Sequence, residues 1–348
     1  MKYSSDDVRW MRQARRNALR AWGLTSPNPL VGAVVVNGDT SWSGWHRRAG
    51  EAHAEINALQ AAGNGACGAS LFVTLEPCST SGRTPPCTKA LIDAGISRVV
   101  IGTLDPNPKH AGHGVEVLKS AGIEVVVGVD CDACSRINEA FNCWIRYKRP
   151  YVLLKMAMTL DGKIATASGD SQWITGVAAR NRVQRYRRWA DAIMVGGATV
   201  RHDDPSLLVR KPRNWSRQPL RIIASHSGYL GKMPKVTCDG FAKTRIVSCR
   251  SKVDWIDELQ DLGRNEISAL LVEGGGELAA ELLRHGLVDK VAFFISPKIL
   301  AGSNSRSVVG GLGPDKLSEA LPLTETEMYR IGDDFLMTGY LTNVHRYC

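Results

Sequence analysis

The feature that most constrains the fold of this chain is the alternation of short apolar runs with helix-like segments along its length. Strands that alternate with amphipathic helices are typical of an α/β layer fold. The alternation is interrupted by Lys-Arg-Pro at residues 148–150 and then starts again. At about 150 residues per domain, 348 residues are enough for two domains. We therefore predict two different α/β domains, residues 1–147 and residues 148–348.

Periodicity and helix breakers assign the individual elements. The first helix is capped by Ser4 or Ser5 and stops before the Ser-Pro-Asn-Pro of residues 26–29, because proline disfavours helical backbone in the residue before it. The first half has predicted strands at 31–36, 70–75, 98–102 and 124–129, and predicted helices at 51–62, 88–94, 115–121 and 130–147. The second half has predicted strands at 151–156, 192–195, 220–224, 269–272 and 290–295, and predicted helices at 177–190 and 277–284.

The composition excludes several classes of protein. Hydrophobic residues make up 44% and charged residues 22%, values typical of a globular chain and not of a disordered one. No uninterrupted apolar run reaches the roughly 18–20 residues of a membrane span, and the start of the chain does not resemble a secretory signal. Nine cysteines are too few for a disulfide framework in a chain of this length. We expect a cytoplasmic protein with no membrane partner.

A set of potential zinc ligands lies in the first half. His53 and Glu55 stand near the start of a predicted helix, and Cys78 and Cys87 follow with eight residues between them. A catalytic zinc ion takes three protein ligands of nitrogen and sulfur and keeps a fourth position open. Glu55 could carry a proton without binding the metal, as in the H-x-E and P-C arrangement of zinc-dependent nucleobase deaminases. We predict one Zn²⁺ per chain, bound by His53, Cys78 and Cys87.

Several longer motifs resemble one family over nearly the whole chain. They are SPNPLVGAVVV, HAEINAL, VTLEPCSTSGRTPPCTKALIDAGISRVVIGTLDPNP, KMAMTLDGKIATASGDSQWIT and LLVEGGGELAAELL. In this order they resemble the bifunctional deaminase/reductase family of bacterial riboflavin biosynthesis. The resemblance implies a cytidine-deaminase-like α/β/α domain followed by a dihydrofolate-reductase-like α/β domain. It also implies two cofactors, zinc for the first domain and NADPH for the second.

The resemblance implies two successive reactions on a phosphorylated pyrimidine. The first domain would deaminate 2,5-diamino-6-(5-phosphoribosylamino)pyrimidin-4(3H)-one, with Glu55 as the catalytic acid and base. The second would use NADPH to reduce the ribosyl side chain, giving 5-amino-6-(5-phosphoribitylamino)uracil. Asn28 is either a substrate ligand or a turn-forming residue between two prolines. Arg83 is either a phosphate ligand or an exposed surface charge.

The reductase half contains a glycine-rich turn, Gly274-Gly275-Gly276, between a predicted strand and a predicted helix. Such a turn brings backbone N–H groups and the positive end of a helix close to a phosphate. The resemblance places the cofactor at Ala157, Trp173, Thr199, Asp203, Ser225, Gly275, Gly276, Glu277, Leu278, Ala279, Ala280 and Glu281. It places the substrate at Ser171, Arg187, Leu207, Arg210 and Glu273. Asp161 and Glu273 are candidates for the proton donor.

Three other functions remain open at this point. A nucleic-acid deaminase shares the zinc motif, but the first half has 15 Lys and Arg against 13 Asp and Glu, whereas a nucleic-acid surface would be more basic. A binding protein with structural zinc would require four protein ligands. A chain in which one half has lost its activity is the third possibility. We expect a small-molecule substrate, no nucleic-acid partner, and a homo-oligomer, either a dimer or a tetramer.

Overall fold

The computed structural model describes residues 3–80 and 85–344, and these separate into two compact units. The first unit is built from residues up to Lys148, and the second comprises Arg149–Asn343. Within the described residues, no helix combines the length and the apolar character that a membrane crossing requires.

The first unit is a three-layer α/β/α sandwich. Its strands are β1 Gly32–Asn37, β2 Thr40–Trp45, β3 Ser70–Leu75, β4 Arg98–Thr103 and β5 Glu124–Val127. Its helices are α1 Ser5–Ala18, α2 Ala54–Ala62, α3 Cys87–Asp93, α4 His113–Ser120, α5 Cys131–Arg136 and α6 Glu139–Tyr147. The strand order is β2-β1-β3-β4-β5, in which β3, β4 and β5 are parallel to one another and β1 is antiparallel to β2 and β3.

The two faces of this sheet bury alternate residues of the same strands. Leu71 and Val73 of β3 pack with the apolar residues of α2, α3 and α4. Phe72, between them, packs on the opposite side against Met11 of α1 and Cys134 of α5. Because both faces are covered, the strands read as continuous apolar runs in the sequence. That burial explains why their positions could be predicted.

Three details of the first unit differ from the sequence prediction. Strand β2 was not expected, because its sequence TSWSGW is largely polar. Helix α2 begins at Ala54 and not at residue 51, with His53 in the N-cap position. The predicted helix 130–147 is two helices, α5 and α6. It breaks near Asn138, whose side-chain amide accepts from the N–H of Leu30 at 2.8 Å and donates to its carbonyl at 2.9 Å.

The second unit has an eight-stranded mixed sheet. Its strands are β6 Tyr151–Thr159, β7 Lys163–Ala165, β8 Ala192–Gly196, β9 Leu220–Ala224, β10 Thr244–Val247, β11 Ala269–Glu273, β12 Lys290–Ser296, β13 Arg306–Ser307, β14 Thr324–Ile331 and β15 Asp334–Tyr340. Its helices are α7 Val177–Trp189, α8 Gly197–Asp203, α9 Lys235–Cys238, α10 Lys252–Arg264 and α11 Gly276–Arg284. The order is β10-β9-β8-β11-β6-β12-β15-β14, and β7 and β13 form a separate pair.

Helices cover both faces of this second sheet. Leu154 of β6 packs with residues of α10 and α11. Leu153, its neighbour in the chain, faces the other side and packs with residues of α7 and α8. The first six strands in the order are parallel, and β15 and β14 close the sheet as an antiparallel hairpin. The α/β fold class is therefore confirmed for both halves of the chain.

Candidate active sites

The three predicted zinc ligands of the first unit lie together. His53 occupies the N-cap of α2, Cys78 follows the end of β3, and Cys87 is the first residue of α3. His53 Nδ1 is 3.2 Å from Cys87 Sγ and 3.6 Å from Cys78 Sγ. The three ligand atoms all lie within 4.8 Å of one another. One imidazole nitrogen and two sulfurs at this spacing fit a tetrahedral zinc ion with one open position.

The electrostatics of this cluster also suit a metal site. The hydrogen bonds of Cys78, first to the Cys87 side chain and then to His53, lower its pKa to about 4. The backbone N–H of Cys87 also points at Cys78 Sγ, at 3.3 Å. Because the two thiols share one hydrogen bond, the pKa of Cys87 moves in the opposite direction and is raised. A thiolate is the form of cysteine that binds zinc.

Glu55 lies beside the three ligands and interacts with each of them. It is in the first turn of α2, and only 3% of its surface is exposed. Burial raises the pKa of Glu55 to about 6, although the nearby His53 opposes that shift. A carboxyl group with this pKa can both accept and release a proton near neutral pH.

Asn28 is connected to the ligand cluster by His46, which contacts both Asn28 and His53 and which the sequence analysis did not identify. His46, directly after β2, is buried, and its Nε2 is 3.2 Å from Asn28 Nδ2. Its Nδ1 is 3.1 Å from the carbonyl oxygen of Ala52, and its ring lies edge-on to that of His53 with 5.5 Å between centroids. Burial lowers the pKa of His46. Arg83 lies outside the described residues.

In the second unit, many of the predicted site residues lie where parallel strands end. Ser225 directly follows β9, Thr199 lies in α8 after β8, and Gly275 follows β11. A Cβ atom on Gly275 would lie 3.3 Å from Thr199 Oγ1, so these two segments are in contact. Ligands of open α/β sheets bind at the carboxyl ends of the strands. This edge of the sheet is therefore the candidate cofactor site.

Arg187 and Glu273 form a buried ion pair. Arg187 Nε and Nη2 donate to the two Glu273 carboxylate oxygens at 2.7 and 2.9 Å. Lys155 Nζ is 3.4 Å from Glu273 Oε2. Burial alone would raise the pKa of Glu273, but the charges of Arg187 and Lys155 hold it at about 2. Arg187 Nη1 also donates to the carbonyl of Leu208 at 3.1 Å, so three of the five N–H groups of Arg187 are bonded within the described residues.

The remaining predicted residues of the second unit fall into different environments. Ser171 Oγ donates to Asp203 Oδ1 at 3.1 Å, which joins a predicted substrate residue to a predicted cofactor residue. Ala157 lies within β6 and is half-buried. Trp173 is 59% exposed, with the Arg180 guanidinium 4.6 Å from its ring centroid.

Part of the segment 275–281 does not present its side chains to a ligand. Leu278 and Ala279 are buried in the core on one face of the sheet. Glu281 accepts a hydrogen bond from Trp255 Nε1 at 2.9 Å. Helical periodicity explains the difference, because only one side of α11 can face away from the core. Among its first residues, Gly275 borders Thr199, whereas a Cβ atom on Gly276 would lie 2.7 Å from the carbonyl oxygen of Ser307 and Glu277 accepts from the N–H of Gly311 at 3.4 Å. Ala280 is half-buried.

The two arginines predicted to bind substrate differ in exposure. Arg187 is buried beside Glu273, whereas Arg210 is exposed. Partial burial, and after it the charges of Arg187 and Arg180, lower the pKa of Arg210. Leu207 is buried with a left-handed backbone, φ 53°. The structure brings Arg187, Glu273 and Arg210 into one region.

The two candidate proton donors are both strong acceptors in this structure. Asp161 accepts hydrogen bonds from Thr159 Oγ1 and from the backbone N–H groups of Leu300 and Ala301, and these contacts hold its pKa at about 2. The pKa of Glu273 is also about 2. Neither carboxylate carries a proton to donate at neutral pH.

The site residues that the sequence analysis missed are His46, Lys155, Glu76 and Asp105. His46 follows an unpredicted strand, and Lys155 interrupts the apolar run of β6. Glu76 and Asp105 stand within quoted motifs, directly after β3 and shortly after β4. The sequence signal that could have identified Glu76 and Asp105 is that each is a carboxylate shortly after the end of a predicted strand. Burial, and after it the charges of Glu76 and Cys78, raise the pKa of Asp105.

Both units match known protein families. Residues 4–103 match the cytidine and deoxycytidylate deaminase zinc-binding region, and residues 150–337 match the RibD C-terminal domain. The chain is 43% identical to the riboflavin biosynthesis protein RibD of Synechocystis, with 96% of each covered. It is 38% identical to RibD of Escherichia coli, covering 94% of this chain and 97% of the relative.

Solved structures match nearly the whole length of the chain. RibD of Acinetobacter baumannii has 35% identity and a TM-score of 0.87, with 96% of this chain and 98% of that chain covered. A Thermotoga maritima protein, described as a diaminohydroxyphosphoribosylaminopyrimidine deaminase/5-amino-6-(5-phosphoribosylamino)uracil reductase, has 36% identity, the same TM-score and the same coverage.

Fold, ligand cluster and comparisons together define a bifunctional α/β enzyme with a zinc-binding deaminase domain and a reductase domain. Zinc and NADPH, the two predicted cofactors, are those of this class. The chain belongs to the RibD family of riboflavin biosynthesis proteins.

Proposed function

We propose that the two activities are divided between residues 1–147 and residues 148–348. The first part deaminates 2,5-diamino-6-(5-phosphoribosylamino)pyrimidin-4(3H)-one, and the second reduces the ribosyl side chain of the product with NADPH. The observation that carries this proposal is the His53, Cys78 and Cys87 cluster with a buried carboxyl group beside it. The description of the Thermotoga maritima protein supports the substrates and the order of the two reactions.

In the deaminase, His53, Cys78 and Cys87 hold the zinc ion. Zinc, when bound, supplies a Lewis acid that makes water a better nucleophile near neutral pH. Glu55 is mostly ionised at pH 7 because its pKa is about 6. It accepts a proton from the attacking water and gives it to the pyrimidine ring nitrogen. It then takes the remaining proton from the hydroxyl group now on the substrate carbon and gives it to the departing amine, which leaves as ammonia. Asn28, held by His46, orients the substrate through its side-chain amide.

In the reductase, the cofactor lies along the ends of β6, β8, β9 and β11. NADPH, when bound, supplies a hydride, which is one proton with two electrons, and the protein supplies binding and orientation. Gly275 permits backbone approach to a phosphate at the N-terminus of α11, whereas Gly276 permits the close approach of the backbone at Ser307. Arg210 binds the substrate phosphate, and Arg187 and Glu273 orient the sugar. The substrate surface is completed by Ser171 and Leu207. The cofactor surface is completed by Ala157, Trp173, Thr199, Asp203 and Ser225.

We further propose a cytoplasmic homo-oligomer. Of the eight cysteines among the described residues, seven carry free thiols and Cys131 is disulfide-bonded, and this predominance of free thiols favours a reducing compartment. Strand β14 lies at one edge of the eight-stranded sheet and exposes Met328 and Tyr329. An exposed edge strand with apolar side chains favours pairing with a second chain. Light scattering on the purified protein distinguishes a monomer from a dimer or a tetramer.

One experiment tests both activities. The diaminopyrimidinone phosphate is supplied with and without NADPH, and ammonia and NADPH absorbance are followed separately. We expect ammonia in both samples and NADPH oxidation only after ammonia release has begun. NADPH oxidation without ammonia would contradict the proposed order, and ammonia without NADPH oxidation would contradict the proposed reductase.

A further inference from the structure

A second buried carboxyl group lies beside the deaminase site, and its role differs from that of Glu55. Glu76 directly follows β3 and is two residues before the zinc ligand Cys78. Only 5% of its surface is exposed. Its two oxygens accept four backbone N–H groups, those of Asp105 at 3.1 Å, Gly112 at 3.0 Å, Gly114 at 2.8 Å and Val115 at 3.2 Å.

All four donors belong to one segment, residues 105–115, which connects β4 to the first turn of α4. The bonds to Gly114 and Val115 satisfy N–H groups at a helix N-terminus, where a negative side chain is also favoured by the helix dipole. The bonds to Asp105 and Gly112 fix the two ends of the intervening loop. We call residues 105–112 the clamped loop.

The clamped loop and the start of α4 lie next to the segment after β3, which carries the zinc ligand Cys78. Strands β3 and β4 are parallel neighbours, so the segments that follow them leave the sheet at the same edge. The start of α4 contacts this edge closely, because a Cβ atom on Gly114 would come within 2.3 Å of the carbonyl oxygen of Pro77. Pro77 is bonded directly to Cys78.

The loop contains polar groups of its own that are ordered in this position. Asp105 Oδ1 accepts from the N–H of Asn107 at 2.8 Å, and Asn107 Oδ1 accepts from the N–H of Lys109 at 3.2 Å. Asp105 and Asn107 are half-buried, and Lys109 is exposed. Fixing such a loop before substrate arrives lowers the entropy cost of binding.

We propose that Glu76 is a positioning residue of the deaminase, which holds the clamped loop as a fixed wall of the substrate pocket beside Cys78. The proposal rests on the proposed function for its substrate but not for its geometry. Glu76 binds neither metal nor substrate. A carboxylate is required because it has about four acceptor positions, whereas a glutamine side chain has a single oxygen and an NH₂ group that would face N–H donors.

The test compares Glu76→Gln with a control, Glu116→Gln. Glu116 is an exposed glutamate in the first turn of α4, and its substitution removes a negative charge without changing a residue of the clamped loop. Both proteins are treated with trypsin in the native state. Lys109, between the two fixed ends of the clamped loop, is followed by His110 and is therefore a possible cleavage site. We expect cleavage after Lys109 to become at least about tenfold faster in Glu76→Gln only, the effect of about one lost charge-assisted hydrogen bond.

Kinetics provide the second measurement. For Glu76→Gln we expect the KM for ammonia release to rise about tenfold or more, with kcat changed much less and one zinc per chain retained. The reductase reaction on supplied intermediate should be unchanged. If the glutamine variant does not fold, Glu76→Asp, which keeps the charge but is one methylene shorter, replaces it, and intermediate effects on cleavage and KM are expected.

Parental resistance at Lys109 together with a parental KM would overturn the proposal. Loss of zinc in a folded Glu76→Gln protein would also overturn it, because Glu76 would then act on the metal ligand and not on the loop. Failure of the parent to release ammonia would contradict the proposed function instead, and the trypsin comparison would still decide the role of Glu76.

Discussion

Two neighbouring carboxyl groups in the first unit illustrate how position decides the role of a residue. Burial raises the pKa of Glu55 to about 6, although the nearby His53 opposes that shift. Glu76 is buried with four backbone N–H partners and serves to hold a loop. The first can exchange a proton near neutral pH, whereas every acceptor position of the second is used by the fold.

Glu55→Gln should separate proton transfer from metal binding. We expect the variant to keep one zinc per chain, because none of the three ligands changes, and to lose deamination by roughly 10²–10⁴-fold. Zinc content and ammonia release are measured on the same preparation. Glu51→Gln is the matched control, since Glu51 is an exposed carboxylate shortly before the same helix. Ammonia release by Glu55→Gln at the parental rate would reject its assignment as the acid and base.

Arg187 and Arg210 should respond differently to the same substitution. Arg187→Met removes the bidentate partner of the buried Glu273 and leaves the 3.4 Å contact with Lys155, so we expect the reductase unit to lose about 3–5 kcal/mol of unfolding free energy. Arg210→Met removes an exposed side chain and should leave stability unchanged, while raising the KM for the deaminated substrate about tenfold. Urea unfolding and NADPH oxidation measure the two effects. Equal stability losses would contradict the buried-pair interpretation.

The stability difference between the parent and Arg187→Met should depend on pH, because the pKa of Glu273 is shifted. In the parent, the pKa of Glu273 is held at about 2, below the value of about 4.3 for an unfolded glutamate. Its contribution to stability is therefore complete above about pH 4.3 and is lost as the pH falls towards 2. In Arg187→Met we expect burial to raise the pKa of Glu273, because the charge of Arg187 no longer opposes it. Protonation of Glu273 then removes the free-energy cost of burying its negative charge. We expect the stability difference between the two proteins to shrink as the pH is lowered.

Among the connecting elements, the turn between β11 and α11 gives the clearest test of backbone geometry. Gly275 has φ 89°, and a Cβ atom there would lie 3.3 Å from Thr199 Oγ1 in the candidate cofactor site. Gly286, after α11, has φ 70° with no atom within 4 Å of such a Cβ. A side chain is strained at both positions, but only at Gly275 does it enter the site.

Gly275→Leu should therefore raise the KM for NADPH at least about tenfold, whereas Gly286→Leu should cost about 1 kcal/mol of stability and leave that KM unchanged. Thermal unfolding of both variants controls for the strain that they share. An equal rise of KM in the two variants would mean that the effect comes from strain and not from a blocked phosphate position.

The elements that could be predicted from the sequence are those whose local pattern agrees with their burial. Strand β3 is an apolar run with helices on both faces, and its end locates Cys78. Strand β2 has no such pattern, and therefore His46 was missed. The break at Asn138 depends on Leu30, which is remote in the chain. The role of Glu76 depends on donors 29 to 39 residues away. Long-range contacts of this kind leave no local periodicity.

At the scale of the whole chain, the two units have different sheets and separate cores. The first has a five-stranded sheet and the second an eight-stranded one, and each has helices packed on both faces. Domains of about 50–250 residues can bury a core of their own. The zinc ligands and Glu55 belong to the first unit, and the turn at Gly275 belongs to the second.

If each unit contains a complete active site, the two reactions should be separable by mutation in the intact protein. Glu55→Gln should leave NADPH-dependent reduction at the parental rate when the deaminated intermediate is supplied, because no reductase residue changes. Gly275→Leu should still release ammonia from the diamino substrate, because the zinc ligands and Glu55 are untouched. Both reactions are measured on both variants after circular dichroism has shown that they are folded. If either substitution silences both reactions in a folded protein, the two activities depend on a shared site or are tightly coupled, and the division into two independent modules is wrong.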